Sequence, residues 1–273
     1  MKHKRFGFTL IEVSLFLAIT GLLFVGIAVG TQNSIFQQRF QDSVQNFAEF
    51  MRSIYAEVSN PQSAGDGRSD MAIYGKLITF GERVGLDGKD IPATEQKFFA
   101  YDVVARADMT GTGSVLEMLG QVQNPKTENA NVVRFIEENG TKKVVAAGIV
   151  ESYVPRWSAA IEKVGSNTAF TGSVLIVRHP RSGTVNTFVS EDVIQINETI
   201  KNGSIATLQN LLVSQLGKFK SKEVDFCINP YGLNSKNDNR RDVRLVYNAR
   251  NSSGVEIIDA DDLSDTGNRC RKL

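Results

Sequence analysis

The chain has 273 residues, of which 41% are hydrophobic and 22% are charged. This is ordinary usage for a folded globular protein, and it excludes both a disordered chain and a protein with many membrane spans. The formal net charge of +1 gives no bulk reason to expect nucleic acid or an anionic membrane as the partner.

A short basic segment begins the chain, and a long apolar segment follows it. Residues 1–7 are rich in basic side chains, whereas residues 8–30 contain a single charged residue, Glu12. At a rise of about 1.5 Å per residue, residues 8–30 would form a helix of about 34 Å, which is enough to cross a hydrocarbon core of about 30 Å. Basic residues directly before a span predict that the N-terminus stays inside and the rest of the chain is exported.

Glu12 is the unusual residue of this segment. Burying a carboxylate inside a membrane span costs several kcal/mol unless it has a partner. Such a residue is therefore a candidate for a functional role. Residues 7–13, GFTLIEV, follow Lys4 and Arg5 and resemble the prepilin cleavage and methylation motif of type IV pilins and type II secretion pseudopilins. The resemblance implies cleavage after Gly7, methylation of the new amino group of Phe8, and pairing of Glu12 with the N-terminal amine of a neighbouring subunit.

The same resemblance implies partners and a location. The partners would be prepilin peptidase, other pilin subunits, the assembly platform of a pilus or secretion system, and the membrane. The protein would be a single-pass protein of the cytoplasmic membrane before assembly, and part of a cell-surface or envelope-spanning filament afterwards.

Two other interpretations of the N-terminus remain open. The first is a general secretory signal peptide, with the small residues 28–30 as its cleavage site. The apolar stretch is long for such a peptide, and Glu12 would have no purpose in it. The second is a plain signal anchor, in which the match to the prepilin motif is a coincidence.

The helix is expected to continue beyond the apolar segment as far as Asn60, because Pro61 disfavours helix at the residue before it. An apolar stripe at spacings of three and four supports this; it consists of Phe36, Phe40, Val44, Phe47, Met51, Ile54 and Val58. We therefore predict a leader (1–7), a transmembrane half-helix (8–30), an amphipathic half-helix (31–60) and a globular head (61–273). Many major pilins carry a proline in the transmembrane half, and this chain has none there, which together with the large head favours a minor subunit.

The head is predicted to be a largely antiparallel sheet. Short segments rich in β-branched and aromatic residues alternate with turn residues, at 72–80, 98–106, 132–137, 142–154, 172–179, 184–190, 224–228, 243–247 and 255–258. Hairpin turns are predicted at Asn139-Gly140 and at residues 180–183. One apolar face over residues 204–216 predicts a second helix.

The chain has two cysteines, Cys227 and Cys270, without the spacing of a metal site. They predict one disulfide if the head is exported, and two unrelated buried thiols otherwise. A bridge here would be similar to the disulfide-closed C-terminal region of many pilins.

Catalytic signatures are missing from the sequence. Neither zinc-ligand spacing, nor a phosphate-binding glycine loop, nor a Gly-x-Ser-x-Gly motif occurs. We therefore expect a protein that is not an enzyme and has no cofactor.

A cluster of four acidic residues near the C-terminus is a candidate calcium site, since Ca²⁺ binds flexible loops rich in oxygen ligands. The residues are Asp259, Asp261, Asp262 and Asp265. A solvated acidic turn is the commoner use of such a cluster, and no metal site is predicted.

Two basic clusters are candidates for binding DNA, because clustered Arg and Lys are sufficient for phosphate contacts. One contains Arg178 and Arg181, and the other Arg269 and Arg271. Mixed surface charge is the competing interpretation.

We conclude that the sequence predicts an α+β protein with a long N-terminal helix packed on a largely antiparallel pilin-like head that carries a C-terminal disulfide. The predicted function is that of a structural, minor filament subunit. The alternatives are a binding-type minor pilin for adhesion or DNA uptake, and a type II secretion pseudopilin.

Overall fold

The structure is a computed structural model. It describes residues 9–60, 71–106, 114–120, 131–138, 141–146, 148–166, 168–202, 211–230, 232, 240–246, 254–258 and 270. The chain divides into two compact units, residues 1–42 and 43–273. Helices, antiparallel sheets and one disulfide near the C-terminus make the protein α+β, as predicted.

The long N-terminal helix is confirmed: α1 runs over Leu10–Ser59, a length of 50 residues. Its residues in the second unit bury the predicted stripe, with Val44, Phe47, Met51, Ile54 and Val58 at 5% exposure or less. Phe36 and Phe40 of the same stripe belong to the first unit, where Phe36 is 37% exposed.

Six strands form the larger sheet of the second unit, in the order β5-β2-β1-β7-β8-β9. They are β1 (Met71–Phe80), β2 (Phe98–Arg106), β5 (Val150–Tyr153), β7 (Gly172–Arg178), β8 (Val185–Ser190) and β9 (Lys220–Ser221). All of their pairings are antiparallel. One face carries Leu77, Tyr101 and Leu175 and belongs to a core shared with α3 (Ile196–Asn202) and a 3₁₀ helix (Val213–Lys218).

A second sheet has four strands in the order β12-β11-β10-β6. They are β6 (Ala160–Lys163), β10 (Val224–Asn229), β11 (Arg241–Leu245) and β12 (Val255–Ile258). A two-stranded sheet pairs β3 (Val133–Glu138) with β4 (Thr141–Ala146), and a short helix α2 covers Val115–Gly120. The antiparallel character of the head was predicted correctly, but the division of its described strands into three sheets was not.

An aromatic cluster joins α1 to both larger sheets. The ring of Phe47 on α1 lies 5.2 Å from that of Phe226 on β10, and Phe226 lies 5.1 Å from Phe80 on β1. Phe170 closes the group at 4.7 Å from Phe226. Edge-on and tilted aromatic contacts of this kind add to the burial of apolar area, so the cluster holds the second half of α1 between the two sheets.

Two predicted elements differ from the structure. The single strand predicted over 142–154 consists of β4 and β5, which belong to different sheets and are separated by Gly148. Of the helix predicted over 204–216, residues 204–210 lie outside the described residues, and the described remainder is a turn followed by the 3₁₀ helix. The strands β6 and β9 and the helices α2 and α3 were not predicted, because they are too short to show a periodic pattern.

The two predicted hairpin turns have different outcomes. Asn139 and Gly140 lie outside the described residues. The turn at 180–183 is confirmed, since Gly183 N donates to His179 O at 2.9 Å and His179 N donates to Thr184 O at 2.8 Å.

Candidate functional site

The first unit presents an apolar surface along α1. Its large apolar side chains are exposed, with values such as 87% for Leu10, 66% for Phe16, 74% for Leu22 and 74% for Phe24. Within the described part of the chain, α1 is the one helix whose length and composition would let it cross a membrane. A continuous apolar surface of this size marks a contact with lipid or with another protein.

Glu12 lies at the start of this surface and forms a capping box with Thr9. The backbone N and the Oγ1 of Thr9 each donate to Glu12 Oε2 at 2.9 Å, and Glu12 N donates to Thr9 Oγ1 at 3.3 Å. This reciprocal pattern satisfies backbone donors that have no partner in the first turn of a helix. The T-x-x-E signature at residues 9–12 could have been recognised in the sequence, and Glu12 therefore has a local role besides the predicted intersubunit one.

The predicted processing residues, Gly7 and Phe8, lie outside the described residues. Helix α1 begins at Leu10, with Thr9 as its capping residue.

A buried ionic cluster connects α1 to the larger sheet. We call it the Lys76 cluster; it consists of Lys76 on β1, Asp102 on β2, Glu151 on β5 and Glu57 on α1. Lys76 Nζ lies 2.9 Å from Asp102 Oδ1, 2.6 Å from Glu151 Oε1 and 2.9 Å from Glu57 Oε2. Burial lowers the pKa of Lys76, but the hydrogen bonds to the three carboxylates outweigh it and hold this pKa above its ordinary range. Lys76 is therefore an ammonium ion held inside the protein.

A second buried carboxylate, Glu82, ties the end of β1 to α3. Its Oε1 accepts hydrogen bonds from Thr79 Oγ1 at 2.6 Å and from Tyr101 Oη at 2.7 Å, and its Oε2 accepts one from Asn197 N at 3.0 Å. Glu82 thus caps the first turn of α3 from another part of the fold. Burial raises the pKa of Glu82 above its ordinary value, although these hydrogen bonds oppose the shift.

The predicted disulfide is present between Cys227 and Cys270, with Cα atoms 5.3 Å apart and both residues buried. In the four-stranded sheet Cys227 lies opposite Glu162 on β6 and opposite Asp242 on β11. Directly opposed residues share a face, so the bridge lies between two carboxylates that are both 0% exposed. The disulfide lies on a polar face of the four-stranded sheet. The opposite face carries Phe226 and contacts the apolar core.

The first candidate DNA-binding cluster is partly brought together. Arg178 ends β7 and is half-buried, while Arg181 is exposed in the turn that follows. His179 Nδ1 accepts hydrogen bonds from the backbone N of Arg181 and of Ser182, both at 3.2 Å, so His179 has a structural role in this turn. The structure therefore places the two arginines at the tip of one hairpin.

The remaining candidate residues lie outside the described part of the chain. These are Arg269 and Arg271 of the second basic cluster, and Asp259, Asp261, Asp262 and Asp265 of the calcium cluster. Arg240 is buried, and its Nε lies 2.9 Å from Glu162 Oε2, so it contributes to the interior and not to a basic surface.

Sequence reasoning missed Lys76 and Asp102, although a signal for them exists. Lys76 is the one charged residue of β1, and Asp102 is a residue of opposite charge in the middle of β2, whose other charge is the terminal Arg106. A charged residue at such a position must be paired when it is buried, and that would have predicted a contact between the two strands.

Comparison of the chain with protein-family models, with curated proteins and with solved structures finds no match.

Proposed function

We propose that this protein is a minor subunit of a type IV pilus or a related filament, processed after Gly7 and assembled through its N-terminal helix. The observation that carries the proposal is the exposed apolar half of α1, with Glu12 as its only charge, directly after the GFTLIEV motif. Lipid covers this surface before assembly, and the helices of neighbouring subunits cover it afterwards.

The energetics of Glu12 support an intersubunit partner. The capping box uses hydrogen-bond donors of the same chain, and these donors are neutral. A carboxylate in hydrocarbon still costs a few kcal/mol. A positively charged N-terminal amine from a neighbouring subunit removes this cost, because a charge-assisted pair neutralises both groups in the apolar interior. Glu12 Oε2 can accept the capping bonds while the carboxylate as a whole pairs with the amine.

The second half of α1 gives the proposed subunit a firm attachment to its head. The aromatic cluster and the Lys76 cluster both join α1 residues to strands of the head, through Phe47 and Glu57. In a filament, tension passes from the helix of a subunit to its head. Contacts of this kind resist separation of the helix from the head.

The experiment that tests the proposal is N-terminal sequencing and intact mass analysis of the protein from membranes of cells with and without prepilin peptidase. A chain that begins at N-methylated Phe8 only when the peptidase is present supports the proposal. A chain that begins near Thr31, or at Met1 in both strains, overturns it in favour of a signal peptide or a signal anchor.

A further inference from the structure

The Lys76 cluster brings a buried amine and a buried carboxyl group together. Lys76 and Asp102 are direct partners in the β1–β2 pairing, and each is 3% exposed. Directly opposed side chains in an antiparallel pair are held about 5 Å apart at their Cβ atoms, so the backbone itself maintains the approach. We propose that these two side chains are a modification site, at which Lys76 Nζ and Asp102 Cγ form an intramolecular amide bond that cross-links β1 to β2. This inference does not depend on the proposed function.

The carboxyl group of Asp102 is activated by the backbone that covers it. Asp102 Oδ1 faces Lys76 Nζ at 2.9 Å, while Oδ2 accepts a hydrogen bond from Ile149 N at 2.7 Å. An N–H donor at this position stabilises the negative charge that develops on the oxygen when an amine attacks the carbon. Gly148 makes the approach possible, because a Cβ atom at this residue would lie 2.2 Å from Asp102 Oδ2.

Glu151 is in position to transfer protons while the amide bond forms. Its Oε1 lies 2.6 Å from Lys76 Nζ, and its side chain is less exposed than that of Glu57, at 29% against 42%. A proton first passes from the ammonium group of Lys76 to Asp102, giving a neutral amine and a neutral acid. The Nζ electron pair then forms the bond to Cγ, Glu151 takes a proton from the nitrogen, and Glu151 returns it to the departing hydroxyl group. The products are one amide and one water, and the reaction needs no oxidant, reductant or cofactor.

The carboxylates of Asp102, Glu151 and Glu57 also make formation of the amide bond slow. They stabilise the ammonium form of Lys76, so the reactive amine is a minor species at any moment. Two features of the site favour accumulation of the amide bond. Reacting groups held in position can reach effective concentrations of about 10⁵ M or more. The exclusion of water slows hydrolysis of the product. We therefore expect the bond to accumulate after folding, on a timescale much longer than folding itself.

The test is a peptide map of the full chain, purified from membranes in detergent, incubated for increasing times, then denatured, reduced and digested with trypsin. A cross-link blocks cleavage at Lys76 and joins residues 69–83 to residues 98–106 in one branched peptide, which is lighter by one water than the sum of its parts. The whole-chain mass alone is not sufficient, because the Asp-Gly pairs at 66–67 and 87–88 can also lose water by forming succinimides.

Three variants make the result specific. Lys76→Arg keeps a cation in the cluster but cannot form the amide, so the branched peptide must be absent from it. Glu151→Gln is expected to slow cross-linking by about a hundredfold, whereas Glu57→Gln has a smaller effect. A wild-type chain that gives only separate peptides after the longest incubation overturns the proposal and leaves the cluster as an ion pair network. Cross-linking of Glu151→Gln at the wild-type rate overturns the role of Glu151.

Discussion

The backbone N–H and the hydroxyl of Thr9 both donate to the Oε2 of Glu12, each at 2.9 Å. The residue for which we propose a contact with another subunit therefore also caps its own helix. The two roles use different properties of the side chain: the capping role needs an acceptor oxygen, and the intersubunit role needs a negative charge.

Substitutions at residues 9 and 12 separate these roles. Glu12→Gln keeps a capping acceptor and removes the charge, whereas Thr9→Val removes the cap, at a cost of about 1 kcal/mol, and keeps the charge. If Glu12 pairs with an amine of a neighbouring subunit, Glu12→Gln should lower incorporation into filaments by about tenfold to a hundredfold, and Thr9→Val should lower it much less. The measurement is the ratio of protein in sheared filaments to protein in membranes. Equal losses in the two variants, with processing intact in both, would assign Glu12 to capping alone.

The disulfide is expected to be a major source of stability for the head. The two cysteines are 43 residues apart, and closing a loop of that size stabilises by about 4 kcal/mol in the chain-entropy model. The double variant Cys227→Ala/Cys270→Ala should therefore unfold roughly 10 °C below the wild type. Thermal unfolding of the full chain in detergent, followed by circular dichroism with and without a reductant, measures the effect. A reductant should lower the unfolding temperature of the wild type and leave that of the double variant unchanged. The double variant therefore controls for other effects of the reductant.

Glu82 should make the stability of the fold depend on pH. Because burial raises its pKa above the ordinary value of 4.5, the folded state holds a proton more tightly than the unfolded state does. The contribution of Glu82 is fully present below pH 4.5 and is lost as the pH rises through the pKa of the folded state. Urea unfolding of the full chain at several pH values should show this decline, and Glu82→Gln should show a smaller one.

The control for this measurement is Glu95→Gln, because Glu95 is an exposed carboxylate of the same β1–β2 connection. Glu95→Gln changes a side chain on the surface, so its free energy of unfolding should stay within about 0.5 kcal/mol of the wild type. A Glu82→Gln variant with the full wild-type slope would show that other groups are responsible.

Phe226 is expected to be the most costly single truncation in the aromatic cluster, since it contacts rings from α1, from β1 and from the segment before β7. Phe226→Ala should lower the free energy of unfolding by about 3–5 kcal/mol, through lost burial and the cavity left behind. Denaturant titration of the full chain measures this loss. Leu86→Ala is the comparison, because Leu86 is 52% exposed and its truncation should change stability by less than about 0.5 kcal/mol. A loss of similar size in both variants would contradict the role assigned to Phe226.

Local sequence patterns were sufficient to predict an element when it is long, or when the segment that it pairs with is close along the chain. Helix α1 was predicted to within a few residues, because fifty residues of apolar and then amphipathic pattern end at a proline. The strands β1 and β2, and the turn between β7 and β8, were predicted for the same reason. The run from Lys142 to Val154 was misread as one strand, because nothing local distinguishes the strand that pairs with β3 from the strand that pairs with β2.

The sequence by itself determined that the chain has an N-terminal helix long and apolar enough for a membrane, carries one charge near the start of that helix, and continues into a β-rich head. Each of these properties depends on hydrophobicity and spacing along the chain. Only the tertiary structure decided that Lys76 faces Asp102, that Cys227 lies between Glu162 and Asp242, and that Glu82 caps α3. These contacts join residues that are far apart in sequence, and they depend on strand order and register, which are set by the packing of the whole head.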